Sequence, residues 1–144
     1  MPFISAETTV DGPPAAAFAL AKNMEDYPRF MKDVVYLKVL ERDDSSQISE
    51  WHARLQGRIL RWKERDVFDE TALTITYQQT EGDLKRFEGA WSFVPAGEGT
   101  KITLTVDFDL GIPMLAPLLD PVASLVVKRN CQDMLAGMRR QLAR

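Results

Sequence analysis

The 144-residue chain has one cysteine and one histidine. A single cysteine forms no internal disulfide, so the expected setting is a reducing cytoplasm. One histidine and one cysteine cannot by themselves build a Cys/His zinc site, and neither a metal nor a cofactor is expected. Positive charge is not in excess: 18 Lys and Arg face 21 Asp and Glu, a net charge of −3. That balance excludes a general basic footprint, and no DNA partner is expected. A long hydrophobic run is also missing. The most apolar stretch, Ile112 to Val127, is interrupted by Pro113, Pro117, Asp120 and Pro121, short of the roughly 20 apolar residues of a membrane span. The first residues, Met1 to Glu7, lack a basic segment followed by an apolar one, so neither a targeting peptide nor a transmembrane segment is expected.

What is present is enough apolar matter for a core: 45% hydrophobic and 9% aromatic residues in a length that suits one domain, residues 1–144. No repeat or low-complexity linker divides it. Phe3–Val10 reads as a strand stopped by Asp11-Gly12-Pro13-Pro14, a cluster that can also start a helix. Ala15–Lys22 has high helix propensity, and a second short helical turn is expected over Glu25–Met31. Six β-rich runs follow, Val34–Glu41, Ile48–Leu55, Ile59–Phe68, Leu73–Thr80, Arg86–Val94 and Lys101–Leu110, separated by short turn signals such as Gln56-Gly57. Consecutive strands with short turns imply an antiparallel meander. From a cap at Asp120 before Pro121, a helix of about 33 Å is expected to Leu142. It carries Ala123, Val126, Val127, Met134 and Met138 on one face and Lys128, Arg129, Gln132, Asp133, Arg139 and Arg140 mostly on the other. A curved antiparallel sheet gripping that helix would bury both apolar faces, an α+β architecture.

Strand alternation gives the clearest chemical clue. Leu60, Trp62, Glu64, Asp66 and Phe68 share one face of their strand, and Arg61, Lys63 and Arg65 the other. Three large apolar members turn the first face inward, which aims Glu64 and Asp66 at or near the interior. Beside Trp62 and Phe68 their carboxyls would acquire raised pKa values suited to acid–base work. The bland alternative, and the favoured one, is ion pairing with arginines at the open end of the sheet. Tyr77 and Trp91 alternate inward with Leu73, Ile75, Phe87 and Phe93, a set that can be core or ligand wall. Asn130 sits amid Val126, Val127 and Met134 on the apolar helix face, where its amide needs a partner. That partner is either a ligand or a backbone group of the sheet. His52 and Cys131 carry no nucleophile motif, and Cys131 reads as a small apolar residue. Arg58, Arg61, Lys63 and Arg65 read as a solvated sheet face.

This element order, with particular residues, resembles the START-like helix-grip (SRPBCC) superfamily, nearest its polyketide cyclase/dehydrase and coenzyme Q-binding START-type branches. The carriers are Pro13-Pro14, Met24-Glu25-Asp26-Tyr27-Pro28, the run Gly82 to Phe93 containing Lys85-Arg86-Phe87-Glu88-Gly89-Ala90-Trp91, Gly99-Thr100-Lys101-Ile102, and Arg129-Asn130 in the last helix. The resemblance implies a seven-stranded curved sheet wrapped around one long C-terminal helix, with two short helices after the first strand. It also implies a cavity between sheet and helix for an apolar or aromatic molecule, with Tyr27 near its entrance and Asn130 positioning a ligand carbonyl or hydroxyl. Similar aromatase/cyclases carry an inward arginine where this chain has Asp66, and a tyrosine where it has Val34.

The expected function is therefore binding of a small hydrophobic ligand (a lipid, a quinone or an aromatic polyketide-like molecule) as carrier or sensor. The expected wall is Tyr27, Leu60, Trp62, Tyr77, Phe87, Trp91, Val126, Val127, Asn130 and Met134, and the volume roughly 300–1,000 Å³. A cyclase, aromatase or dehydratase is the second reading, with Glu64, Asp66 and Asn130 as its candidate catalytic groups. A third, suggested by some relatives, is a ribosome-associated, toxin-like interaction protein. Fold membership does not choose between them, and the oligomeric state is not legible.

Overall fold

The computed structural model describes residues 3–109 and 120–143. Strand β1 (Phe3–Asp11) leads into helix α1 (Pro14–Lys22), a 3₁₀ turn (Met24–Asp26) and the four-residue helix α2 (Tyr27–Phe30). Strands β2 (Val34–Arg42), β3 (Ser46–Leu55), β4 (Arg58–Asp69), β5 (Thr74–Gly82), β6 (Arg86–Ala96) and β7 (Gly99–Asp109) follow, then helix α3 (Asp120–Leu142). The expectations for Leu110, for 112–119 and for a side-chain cap at Asp120 lie outside what is described.

The seven strands form one antiparallel sheet in the order β1-β7-β6-β5-β4-β3-β2, so each strand from β2 to β7 pairs with its sequence neighbour and β1 closes onto β7. Short turns explain this order. Between β3 and β4, Leu55 pairs with Arg58 across a two-residue turn. There Gln56 and Gly57 both have positive φ, 50° and 78°, the mirror-image turn whose twist matches paired strands. Period-2 burial then builds the inner face. On β7, Ile102, Leu104, Val106 and Phe108 are buried; on β4, Leu60, Trp62, Glu64, Asp66 and Phe68 are.

Helix α1 begins with Pro14 at its first turn and buries Ala17, Phe18 and Ala21, with Phe18 edge-on to Phe93 at 5.8 Å. Helix α3 lies along β1 and reaches β3 and β7. Val127, Cys131, Leu135 and Met138 are buried, while Lys128, Arg129, Arg139 and Arg140 are exposed. None of the described helices is long and apolar enough to cross a membrane.

One position lets α3 close against α2. A Cβ on Gly137 would stand 2.6 Å from the Phe30 carbonyl oxygen, and that neighbour is backbone, which cannot swing aside. Alanine is normally favoured over glycine in a helix by roughly 0.5–1 kcal/mol. Gly137→Ala is nevertheless expected to destabilise the fold, by about 1–3 kcal/mol, the usual cost of overpacking. Urea unfolding of the variant measures the sign; a gain in stability would show that the crossing is looser than drawn.

Candidate functional site

Opposite pairs across β3 and β4 build the floor of the interior. Trp51 pairs with Trp62, Ser49 with Glu64 and Gln47 with Asp66. The two indoles stack at 5.5 Å, 15° from parallel. Phe87 of β6 leans on Trp62 at 5.2 Å and on Tyr77 at 5.5 Å. Between this aromatic wall and α3 lies a cavity of about 100 Å³. Its wall is Trp51, Ala53, Leu60, Trp62, Glu64, Tyr77, Phe87 and Trp91, with Leu104, Val106 and Phe108 from β7 and Val127, Asn130, Cys131 and Met134 from α3. Asp33, Arg54 and Leu55, also on the wall, are incompletely buried and mark the mouth; Arg54 Nη1 stands 3.6 Å from Asp33 Oδ1. All three tryptophans of the chain line the space.

The volume corrects the expectation of roughly 300–1,000 Å³. The stacked indoles and the Phe87 and Tyr77 rings fill much of the interior themselves, leaving room for a single-ring group. Of the expected wall, Leu60, Trp62, Tyr77, Phe87, Trp91, Val127, Asn130 and Met134 stand on it, and Tyr27 and Val126 do not. Tyr27 is not at an entrance: it is 0% exposed, packed against Phe30, Trp51 and Trp91, with its hydroxyl donating to the Ala21 carbonyl. Val126 stands at the edge of the stripe Val127, Asn130, Cys131, Met134 that faces the cavity, about 40° beyond Asn130 and 100° from Val127, and is half-buried. Of the two partners considered for Asn130, the backbone group is the one present. Asn130 stands on the wall, and its Nδ2 donates to the Arg54 carbonyl at 3.0 Å, which ties α3 to the end of β3.

Glu64 and Asp66 are only 2% and 0% exposed, and among the described residues neither takes part in an ion pair. The expectation of arginine partners at the sheet's open end is thus overturned. Arg61 and Arg65 of β4 point outward by alternation, and the carboxyls are held by neutral donors instead. Asp66 Oδ2 accepts from Ser49 Oγ at 2.6 Å and Gln47 Nε2 at 3.0 Å, and Trp51 Nε1 donates to the same Ser49 hydroxyl at 2.9 Å. Trp62 Nε1 donates to Glu64 Oε1 at 2.8 Å. Asp66 Oδ1 has no partner among these donors. Glu64 is on the cavity wall and Asp66 is beneath it.

Burial pushes the Glu64 carboxyl well above the usual glutamate range. The Asp66 charge and a hydrogen bond between the two side chains add to the rise, and the Trp62 indole opposes it. Glu64 therefore keeps its proton to higher pH than an ordinary glutamate. Burial first, and the nearby acidic groups after it, also push the Tyr27 and Tyr77 hydroxyls up. Burial raises the Cys131 thiol to about 12, which leaves it without nucleophilic character at neutral pH. Tyr77 Oη donates to the Thr105 carbonyl at 2.6 Å, passing over Gly89, where a Cβ would stand 2.6 Å from that hydroxyl. His52 is on the opposite sheet face, its ring 4.6 Å from that of Tyr36, so it forms no constellation with Cys131.

Sequence reading missed Gln47, which precedes the expected run Ile48–Leu55, and Ser49, which lies within it but carries no charge or aromatic ring to mark it. Extending the inward alternation of Trp51 back by two and four residues would have found both. It also missed the Asp33–Arg54 pair at the mouth, for which no sequence signal exists.

The chain belongs to the family described as polyketide cyclase / dehydrase and lipid transport, whose pattern matches residues 10–135. Among curated relatives it is 31% identical over 114 residues to the actinorhodin polyketide synthase bifunctional cyclase/dehydratase of Streptomyces coelicolor. The match covers 75% of this chain and 36% of that protein, so the chain spans about a third of that relative. Among solved structures, a Thermus thermophilus protein superposes with a TM-score of 0.93 at 33% identity, over 98% of this chain and 97% of the other. The Zhui aromatase/cyclase of a Streptomyces species shares the fold with a TM-score of 0.87 at 20% identity, over 98% and 93% of the two chains.

The carboxyl pair generates a pH test. The folded chain holds the Glu64 proton above the pH at which the unfolded chain releases it, so the folded state binds more protons and stability falls as pH rises. The decline should begin near 4.5, the ordinary glutamate value, and end above the raised folded-state value. Urea denaturation at a series of pH values should show it, and Glu64→Gln, which cannot ionise, should flatten it. Parallel profiles for the two proteins would place the proton elsewhere.

Proposed function

We propose that the chain binds a small hydrophobic ligand in the cavity between sheet and α3, as a carrier or sensor. The observation that carries this is the wall itself. Three tryptophans, Tyr77, Phe87 and aliphatic residues enclose the space, and Glu64 and Asn130 supply polar groups that can orient a guest. Removing a guest's apolar surface from water is worth roughly 25 cal/mol per Å². In keeping with this, Val34 and Asp66 stand where similar aromatase/cyclases carry a tyrosine and an arginine, and the 100 Å³ of space is small for a folded polyketide chain.

One observation favours an enzyme of the cyclase/dehydratase class as the second reading: Glu64 places a proton-bearing carboxyl on the cavity wall, the equipment of a general acid. Family membership is compatible with both readings. The chain's localisation, proposed as cytoplasmic, and its lack of a DNA partner rest on composition.

Because Trp51, Trp62 and Trp91 all face the space, their fluorescence and indole N–H resonances report occupancy directly. Benzyl alcohol, a neutral single-ring probe, is expected to perturb all three. Ala53→Phe, which fills the wall on β3, is expected to weaken the probe at least about tenfold while leaving the circular dichroism unchanged. No response in the wild-type protein would end the ligand-cavity reading. On a polyketone substrate mimic no conversion is expected; conversion that drops about 10²–10⁴-fold in Glu64→Gln with binding intact would install the enzyme reading instead.

A further inference from the structure

The cavity has an electrostatic asymmetry that a purely apolar guest would leave unused. Two carboxyl groups are buried side by side at its floor, 2% and 0% exposed. The side chains that donate to them, Trp62, Ser49 and Gln47, are all neutral, and Asp66 Oδ1 accepts from none of them. The nearest cation on the wall, Arg54, is at the mouth and is engaged there with Asp33 and the Lys32 carbonyl. A buried acidic pair without a cation is costly unless a proton or a positive ligand completes it. Around Glu64 stand the faces and edges of Trp51, Trp62, Tyr77 and Phe87, and aromatic faces attract cations most strongly when the cation is out of water.

Resting on the reading that this cavity is a ligand site, we infer that it selects organic amines: an ammonium group seated against Glu64, with Asp66 behind that carboxyl and the amine's apolar body among the rings. The ammonium takes the place of the Glu64 proton. The balance is simple. An ammonium ion that enters displaces the Glu64 proton to solvent, whereas a neutral amine takes that proton itself, and both routes end in the same ion pair. The space fits a single-ring amine.

The groups facing Glu64 decide which titration is seen. They are Asp66 on its own strand, Tyr27 from α2, Tyr77 from β5, Cys131 from α3, and Asp33 and Arg54 at the mouth. Burial carries Tyr27, Tyr77 and Cys131 upward, away from neutrality, so the proton exchanged on binding is that of Glu64.

The test compares benzylamine, benzyl alcohol and benzoate by titration calorimetry, with tryptophan fluorescence as a second readout. Benzylamine is expected to bind at least about tenfold more tightly than benzyl alcohol, and benzoate not measurably. Benzylamine affinity should rise with pH through the Glu64 titration, while the ring remains protonated at its amine. Heats measured in two buffers of different ionisation enthalpy should show proton release with the ammonium form, a signature that hydrophobic burial alone does not produce. In Glu64→Gln the amine preference and the proton release should vanish. If that variant does not fold, the wild-type buffer comparison decides by itself. Equal or tighter binding of benzyl alcohol, or amine binding without proton exchange, overturns the inference and leaves the ligand-cavity reading standing. Failure of every probe, benzyl alcohol included, overturns the cavity reading as well.

Discussion

The inner face of the β3–β4 pair is the constraint on which the interior depends. Three cross-strand pairs follow one another there: an indole stack, Ser49 beside Glu64, and Gln47 beside Asp66. Each polar member finds at least one partner in this short ladder, since Trp51 binds Ser49, Ser49 and Gln47 bind Asp66, and Trp62 binds Glu64, while Asp66 Oδ1 accepts from none of them. The indole N–H groups thus do two jobs. Their rings wall the cavity, and their polar edges hold the carboxyl network that would otherwise be stranded in apolar surroundings. A one-residue slip between these strands would turn the three side chains of the slipped strand to solvent, so the short mirror-image turn at Gln56-Gly57 that sets the register also sets the site.

The rest of the fold closes this ladder from above. Helix α3 reaches it through Val127, Cys131 and Met134, and the amide of Asn130 clips the helix to the Arg54 carbonyl at the end of β3. Helix α2 supports it from the side, with Tyr27 packed edge-on to Trp51. Gly137 permits the backbone contact between α2 and α3 that brings these supports together. Orientation groups and packing groups are consequently the same residues, which makes the division between core and ligand wall a matter of position along each strand. Phe93 and Ile75 are deep core, and Trp91 and Tyr77, two residues away on the same faces, border the cavity.

Charge gives the cavity its character. Glu64, whose carboxyl burial pushes above the usual glutamate range, is a group of adjustable charge, able to face a neutral guest as an acid or a positive guest as an anion. The outward basic face of β4 plays no part in this. Lys63 pairs with Glu81 at 3.3 Å and Arg65 donates to Ser46, both away from the interior.

The pattern along the chain determined the architecture. Period-2 alternation, short turn signals and a 3.6-period stripe after Asp120 act over a few residues each, so they specify strands, a meander and an amphipathic helix without knowledge of the whole. The same alternation turned Glu64 and Asp66 inward and separated them from Arg61, Lys63 and Arg65. Three matters needed the tertiary structure, because each depends on distances between elements. Register decided that the carboxyls meet Gln47, Ser49 and Trp62 rather than arginines. Packing of α2 decided that Tyr27 is buried beneath the wall and not at an entrance. The mutual stacking of Trp51, Trp62, Phe87 and Tyr77 decided the volume, because how far large rings fill a concave face depends on how they tilt against one another, and no local run of residues specifies that tilt.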